Sequence, residues 1–168
     1  MRDLTVLFHG SYLAIEKPRV FPGEYRKDFG DGFYLTTIQE RAERWALRKS
    51  RNMSRSVPGC RPTVNVYMLD EAAAAQFPSV WFPKMSDEWL DFIALNRSGG
   101  NHDFQYVEGP MADDKVYNFV ESFLAGRIDR EEFWRLCRFD YPTHQVMLRG
   151  AALDCLEFVE SYALEDRR

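Results

Sequence analysis

The sequence predicts an α+β fold, because strand-type and helix-type segments follow one another without the regular rhythm of a parallel β-α-β sheet. Short runs rich in β-branched and aromatic residues are mixed with longer segments whose apolar residues recur at helical spacing. A chain of 168 residues is long enough to bury one substantial core, and no repeat or linker divides it. We therefore expect a single domain over residues 1–168.

The predicted strands are short runs of apolar, β-branched and aromatic residues bounded by turn residues. They cover residues 4–8, 32–36, 63–69, 104–107 and 145–148, and an aromatic stretch at 80–82 stands apart from them.

The predicted helices begin at residues with capping side chains. Thr37 precedes the helix 38–50, and Glu40 three residues later completes a capping box. Ser86 caps the helix 87–97. The other predicted helices are 71–77, 112–126, 128–139, a closing helix 150–164 and a short turn at 11–18 that Pro18 ends.

Composition excludes several classes of protein. The three cysteines show neither a disulfide framework nor metal-ligand spacing, which favours a reduced cytoplasmic compartment. Neither an apolar run of membrane-spanning length nor a signal peptide is recognised, so no membrane partner is expected. The net charge of −4 argues against a dedicated nucleic-acid binder.

One basic segment departs from this acidic balance. Residues 41–55 carry six Lys and Arg residues against the single Glu43. A solvated helix face is the favoured interpretation, and a surface that meets phosphates or an acidic partner is the alternative.

Three polar residues fall on predicted strands: His9 ends the first, Tyr34 lies on the second and Gln145 begins the last. His9 is followed by Gly10, and Tyr34 is preceded by Gly-Asp-Gly. Glycine beside a strand marks a bulge or a place where another group approaches the backbone closely. Sequence motifs of nucleoside triphosphatases, zinc proteases and serine hydrolases are missing. The three histidines have no carboxylate or Cys residues near them at metal-ligand spacing.

These motifs resemble the ADP-ribosyltransferase superfamily, in the branch of diphtheria toxin and the poly(ADP-ribose) polymerases. That branch has a His-Gly on its first strand, a Phe-Gly-x-Gly-x-Tyr on the next and a Glu on a late strand. The chain also resembles an uncharacterised bacterial domain family of toxin–antitoxin type, through FHGSY, DFGDGFYLTT, EWLDFI, Asn96-Arg97 and EGPMADD.

The resemblance implies an NAD site in a cleft between two small antiparallel sheets flanked by helices. It implies that His9 donates to a ribose hydroxyl of the adenosine half, that Gly10 pairs with the nicotinamide amide and that Tyr34 and Trp45 sandwich the nicotinamide ring. The implied NAD-binding set is His9, Gly10, Ser11, Tyr34, Arg41 and Trp45. Ala42 stands where the polymerases have an amide-binding Ser.

The catalytic set that the resemblance implies is His9, Tyr34 and the late-strand residue, which here is Gln145 rather than Glu. A Gln amide can bind a ribose hydroxyl but supplies no negative charge and no base. Strand alternation predicts Gln145 and Met147 on one face, with Val146 and Leu148 in the core. Asp113 or Asp114 is an alternative source of a carboxylate, although N-capping of the next helix is the favoured role.

The implied function is mono-ADP-ribosyl transfer from NAD to a protein or nucleic-acid acceptor, by a toxin with a cognate antitoxin as partner. An NAD-binding module that Gln145 has disarmed is the first alternative. An RNA 2′-phosphotransferase is the second, because it shares the fold and residues 41–55 offer its basic surface. No metal is expected.

Overall fold

The computed structural model describes residues 3–21, 23, 25–138 and 143–165. It confirms the α+β class and the division into two sheets. The strands are β1 (Leu4–Ser11), β2 (Phe33–Leu35), β3 (Thr63–Asp70), β4 (Ser79–Trp81), β5 (Tyr106–Gly109), β6 (Gln145–Leu148) and β7 (Leu156–Ala163). The helices are α1 (Gln39–Met53), α2 (Glu71–Ala74), α3 (Asp87–Arg97), α4 (Asp114–Leu124) and α5 (Arg130–Leu136), with a 3₁₀ helix at Gly150–Cys155.

The first sheet is antiparallel with strand order β1-β3-β7, and the second has order β2-β6-β5-β4. The second sheet is mixed, because β4 and β5 run parallel. One backbone bridge, between Phe8 and Thr36, joins β1 to the segment after β2. The two sheets therefore meet at the strands that carry His9 and Tyr34.

The core forms successive layers. Leu7 and Tyr67 of the first sheet pack against Phe33 and Leu148 of the second. The other face of the second sheet, with Met147, packs against α3, α4 and α5. On the outer face of the first sheet, α1 lays Ala42 and Ala46 over Val64.

The closing helix predicted at 150–164 is wrong. The chain forms the short 3₁₀ helix and then β7, which pairs antiparallel with β3 through a register shift at Val66/Tyr67. Leu156 and Phe158 point inward while Glu157 and Val159 are exposed, and this alternation follows the strand period. Pairing with the buried β3 overrides the local helical preference, since strand formation depends strongly on tertiary context.

The short turn of helix predicted at 11–18 is also wrong. β1 continues to Ser11, and the following backbone hydrogen-bonds to side chains of β3. The Asn65 amide accepts from Ile15 N–H at 2.7 Å and donates to Leu13 C=O at 3.1 Å, while Tyr67 Oη donates to Ile15 C=O at 2.5 Å. These bonds hold the segment against the first sheet.

The caps were predicted with mixed success. Ser86 caps α3 as expected, accepting from the Trp89 N–H at 3.2 Å. The capping box at Thr37 does not form, because α1 has Ile38 at its N-cap position and no side chain caps it. The Thr37 N–H instead donates to His144 Nδ1, at 3.2 Å.

Gly10 is required where α1 crosses β1. A Cβ on Gly10 would overlap the Ala42 carbonyl oxygen and lie 2.6 Å from the Ala46 nitrogen. We predict that Gly10→Ala lowers the free energy of unfolding by about 3 kcal/mol, the upper range for overpacking, because backbone atoms must move.

The matched control for this prediction is Gly23→Ala, whose Cβ would come no closer than 3.6 Å to any neighbour. Urea unfolding of both variants measures the difference. Equal stability of the two variants would show that α1 does not press on β1 at this glycine.

Candidate functional site

His9 and Tyr34 line one cavity at the junction of the two sheets. We call it the His9 cavity; it has a volume of about 730 Å³. Its walls are the ends of β1 and β2, the segment 12–17, Lys27 and the C-terminal turns of α1. Ser11 lies on the same wall, so the structure brings together three of the residues expected at the site.

His9 is fixed in one tautomer. Its Nδ1 lies 2.6 Å from the Tyr34 carbonyl oxygen, which can only accept, so Nδ1 carries the proton. The ring stacks on Phe33 with a centroid distance of 4.1 Å. Burial, followed by the nearby Lys49 charge, lowers the pKa of His9 to about 3. His9 is therefore neutral at physiological pH, and its Nε2 is an acceptor rather than the donor that the resemblance implied.

Tyr34 is half-buried, and its hydroxyl is engaged in the loop before β2. The hydroxyl donates to Gly30 C=O at 2.6 Å and accepts from Phe29 N–H at 3.1 Å. Lys27 Nζ stands 5.0 Å from the ring centroid. Tyr34 thus closes its own loop and presents its ring, with a cation beside it, to the His9 cavity.

Gly10 directs its backbone polar groups toward the second sheet. Phe8 N–H and C=O bond to Thr36 at 2.8 and 3.0 Å, so they point away from β3. Because the hydrogen-bonding direction repeats every second residue in an antiparallel strand, Gly10 N–H and C=O point the same way. They extend the edge of β1 past the Phe8–Thr36 bridge, although Gly10 itself is buried and is not among the residues that line the His9 cavity.

The two motif glycines have structural reasons that involve no ligand. Gly30 has φ +82°, and a Cβ there would lie 3.2 Å from His102 Nε2 and 3.3 Å from Asn96 Oδ1. A Cβ on Gly32 would overlap the Met147 side chain. The Gly-Asp-Gly sequence is therefore explained by its close packing against α3 and β6, and it does not by itself indicate a bound molecule.

Asp28, the residue that opens this motif, anchors a buried polar cluster. Its Oδ1 accepts from Arg97 Nε at 2.8 Å and from Nη2 at 2.5 Å. Its Oδ2 accepts from Ala112 N–H at 3.1 Å, and its backbone C=O accepts from Asn96 Nδ2 at 3.0 Å. The sequence stretches around residues 28, 96–97 and 112, which carry the second resemblance, thus meet at one carboxylate.

Gln145 belongs to this buried cluster. Its Nε2 donates to Asp28 Oδ2 at 3.4 Å, and the residue is 3% exposed. The alternation predicted for β6 is observed, since Val146 and Leu148 face the core between the sheets and Met147 faces the helices. The expected opening of Gln145 toward the ligand is not observed. Gln145 does not line the His9 cavity, and its amide already donates to Asp28.

Arg41 and Trp45 line a different cavity from Tyr34. This second cavity, the Trp45 cavity, has a volume of about 600 Å³ and lies between α1 and the start of α4. The nicotinamide sandwich of Tyr34 and Trp45 is therefore not formed in this structure. Asp113 also lies there, 2.5 Å from Arg41, and makes no capping bond to α4; the side chain of Asp114 lies outside the described part.

Sequence reasoning singled out Lys49 within the basic segment 41–55 but missed the other cations of the His9 cavity. Lys17, Arg19, Lys27 and Lys49 line it, against Glu16 as the single acidic residue among the described lining residues. Partial loss of solvation, and next the Lys27 charge, lower the pKa of Lys49 to about 8, while part of the residue stays exposed to solvent. The one available signal was Asn65 inside an apolar strand, which holds the segment bearing Lys17 in place.

Two features are not found in the described part of the chain. It contains no cluster of three or more His, Cys, Asp or Glu residues suited to a metal ion. None of its helices is long and apolar enough to cross a membrane.

No curated protein and no solved structure matches this chain. A family described as a protein of unknown function, DUF3990, matches residues 5–158. The match covers His9, Tyr34, the Asp28 cluster and both cavities, and the chain belongs to this family.

Proposed function

We propose that the protein binds NAD in the His9 cavity and transfers ADP-ribose from it to a macromolecular acceptor. The observation that carries the proposal is the His9–Tyr34 pair, which joins strands of two sheets through one hydrogen bond at the wall of one cavity. The order and spacing of His9-Gly10 and Gly30-Asp31-Gly32-Phe33-Tyr34, which resemble the transferase motifs, support it.

The described residues fit a dinucleotide in chemistry and size. The volume of the His9 cavity is within the range of small-molecule and cofactor sites. Four cations against one carboxylate suit the two charges of a pyrophosphate. Neutral His9 can accept a hydrogen bond from a ribose hydroxyl, and the outward Gly10 edge can pair with a carboxamide.

In the proposed transfer, the bond between nicotinamide and the anomeric carbon of its ribose breaks. Nicotinamide leaves as a neutral molecule, and an acceptor nucleophile bonds to that carbon and loses a proton. The protein's contribution is to hold the adenosine ribose through His9 and the phosphates through Lys27 and Lys49. Orientation of this kind is a major source of rate enhancement.

The first test is calorimetric titration of the protein with NAD, followed by mass spectrometry of lysate proteins and nucleic acids after incubation. We expect His9→Asn to fold and to bind NAD about fivefold more weakly. The Asn amide can still donate to the Tyr34 carbonyl, but the acceptor at Nε2 is gone, a loss of about 1 kcal/mol.

The control variant is Lys84→Gln, which changes an exposed residue outside the His9 cavity and should bind as the wild type does. Equal NAD affinity of the wild type and His9→Asn would show that His9 does not contact NAD. Absence of an ADP-ribose mass increment on every species, with NAD bound, would exclude the transferase.

NAD affinity should fall as the pH rises above about 8. The pKa of Lys49 is about 8 in the free protein, and a bound pyrophosphate raises it by attraction. Below pH 8 both states are protonated and affinity is constant. Above pH 8 binding must take up a proton, so affinity drops by up to about tenfold per pH unit until the pKa of the complex is reached.

Titrations between pH 6.5 and 9.5 measure this dependence. Lys49→Arg keeps its charge throughout and should bind NAD with a flat profile across the range. If Lys49→Arg shows the same fall above pH 8 as the wild type, the phosphates do not lie at Lys49.

A second candidate function is NAD binding without turnover, and the position of Gln145 favours it. The transferase family has a carboxylate at this place on the late strand. Here the amide of Gln145 donates to Asp28, and it supplies no charge to stabilise a developing cation on the sugar. NAD consumption by the wild type separates this candidate from the transferase.

Gln145→Glu should lower stability rather than activate the protein. It would place a second carboxylate at the position 3.4 Å from Asp28 Oδ2, in a buried cluster, at a cost of about 3–5 kcal/mol. Repulsion by Asp28 raises the pKa of the introduced carboxyl in the folded state, so the loss is full at neutral pH and diminishes as pH falls through that raised value.

Urea unfolding at pH 5 and pH 8 measures the effect, with Gln145→Leu as the control that loses only one hydrogen bond. Wild-type stability of Gln145→Glu together with faster NAD consumption would contradict this placement and put residue 145 in the ligand cleft.

A further inference from the structure

The charged residues that line the Trp45 cavity are mainly cations. Arg41, Arg44, Arg48 and Lys115 face it, with Asp113 as the one acidic residue on its described wall. Arg41 pairs with Asp113 at 2.5 Å. Within residues 3–21, 23, 25–138 and 143–165, no described side chain forms an ion pair with the other three. Their charge is available to an external anion.

These arginines form a continuous stripe along α1. Arg41, Arg44, Arg48 and Arg51 follow one another at intervals of three or four residues, so they lie on one side of the helix. The Cα atoms of successive arginines are separated by about 5 Å along the helix axis. A row of cations at this spacing suits a polymer of phosphates better than a single anion.

Aromatic rings stand in the same cavity as the cations. Trp45 is half-buried between Arg41 and Arg48, and Tyr117 of α4 lies on the opposite wall. One face of the Tyr117 ring is covered by the Arg97 guanidinium, 4.2 Å from the ring centroid. Tyr117 is thereby tied to the Asp28 cluster, which gives the wall a fixed orientation.

We propose that the Trp45 cavity and the arginine stripe bind single-stranded nucleic acid, with phosphates on the arginines and a base on Trp45. Arginine matches phosphate geometry through paired N–H groups, and aromatic rings stack on unpaired bases regardless of sequence. An acidic protein segment would use the charges but has no need of the rings. This inference deepens the proposed function, because it makes the bound nucleic acid the acceptor of ADP-ribose. That acceptor role rests on the proposed function.

The geometry relates this acceptor surface to the NAD site. Arg41 and Trp45 lie on the first half of α1 and line the Trp45 cavity, whereas Lys49 and Asn52 lie on its second half and line the His9 cavity. One helix therefore contributes side chains to both cavities, and a strand bound along it can enter from one toward the other.

The test is fluorescence anisotropy with a labelled 12-nucleotide oligo-dT and, as a second arm, a 12-nucleotide oligo-U, without NAD. We expect the oligonucleotide to bind. The logarithm of its binding constant should fall linearly with the logarithm of the salt concentration. The double variant Arg44→Gln/Arg48→Gln should bind at least about tenfold more weakly at low salt, with a shallower slope by about 1.4. Trp45→Leu should weaken binding by about five- to 150-fold at every salt concentration, because stacking is not screened.

The matched control is Arg127→Gln/Arg138→Gln, which removes two exposed positive charges away from both cavities. It should bind as the wild type does. Trp45→Phe, which keeps a ring, should retain most of the affinity and guards against a folding defect in Trp45→Leu. Equal weakening by both arginine pairs, or unchanged binding in both, would overturn the proposal. Displacement of the oligonucleotide by an equimolar 12-residue polyglutamate peptide would overturn it in favour of an acidic protein partner.

Addition of NAD tests the acceptor role separately. An ADP-ribose increment on the oligonucleotide supports that role, and consumption of NAD with an unmodified oligonucleotide overturns it. If NAD is neither bound nor consumed, the proposed function fails while binding of the oligonucleotide still supports the docking site.

Discussion

The buried ion pair between Asp28 and Arg97 is the constraint on which the rest of the structure depends. Arg97 ends α3, Ala112 precedes α4 and Gln145 begins β6, and all three donate to the Asp28 carboxylate. Removing one partner of such a buried pair generally costs about 3–5 kcal/mol, because it leaves an uncompensated charge. The loop from Asp28 to Gly32 is therefore held rigidly, and the position of Tyr34 at the His9 cavity follows from it.

The α+β class was predictable from local patterns, because short apolar runs and their bounding turns are local signals. The two-sheet division and the closeness of His9 and Tyr34 were expected only from the resemblance to the transferase superfamily. No comparable local signal exists for β7. This segment forms a strand because it pairs with the edge of β3 that β1 leaves free. Nor could the contact of Gln145 with Asp28 be found, since it joins positions 117 residues apart. Gly30 and Gly32 were correctly identified as special positions. Glycine is needed there because of close packing against His102, Asn96 and Met147.

Helix α1 links structure to function on both of its sides. Its small residues Ala42 and Ala46 pack on Gly10 and Val64, which fixes the helix against the first sheet. Its charged and aromatic residues then project into two cavities, Trp45 into one and Lys49 into the other. Ala42 stands where the polymerases have an amide-binding Ser. This packing explains the small residue, because Ala42 is fully buried between α1 and the first sheet.

The most direct test of the central claim is a crystal structure of the protein in complex with NAD. The proposed site predicts the ribose within hydrogen-bonding distance of His9 Nε2, the carboxamide on the Gly10 edge and the pyrophosphate between Lys27 and Lys49. Well-defined dinucleotide density anywhere else on the protein, with the His9 cavity filled only by water, would contradict the claim.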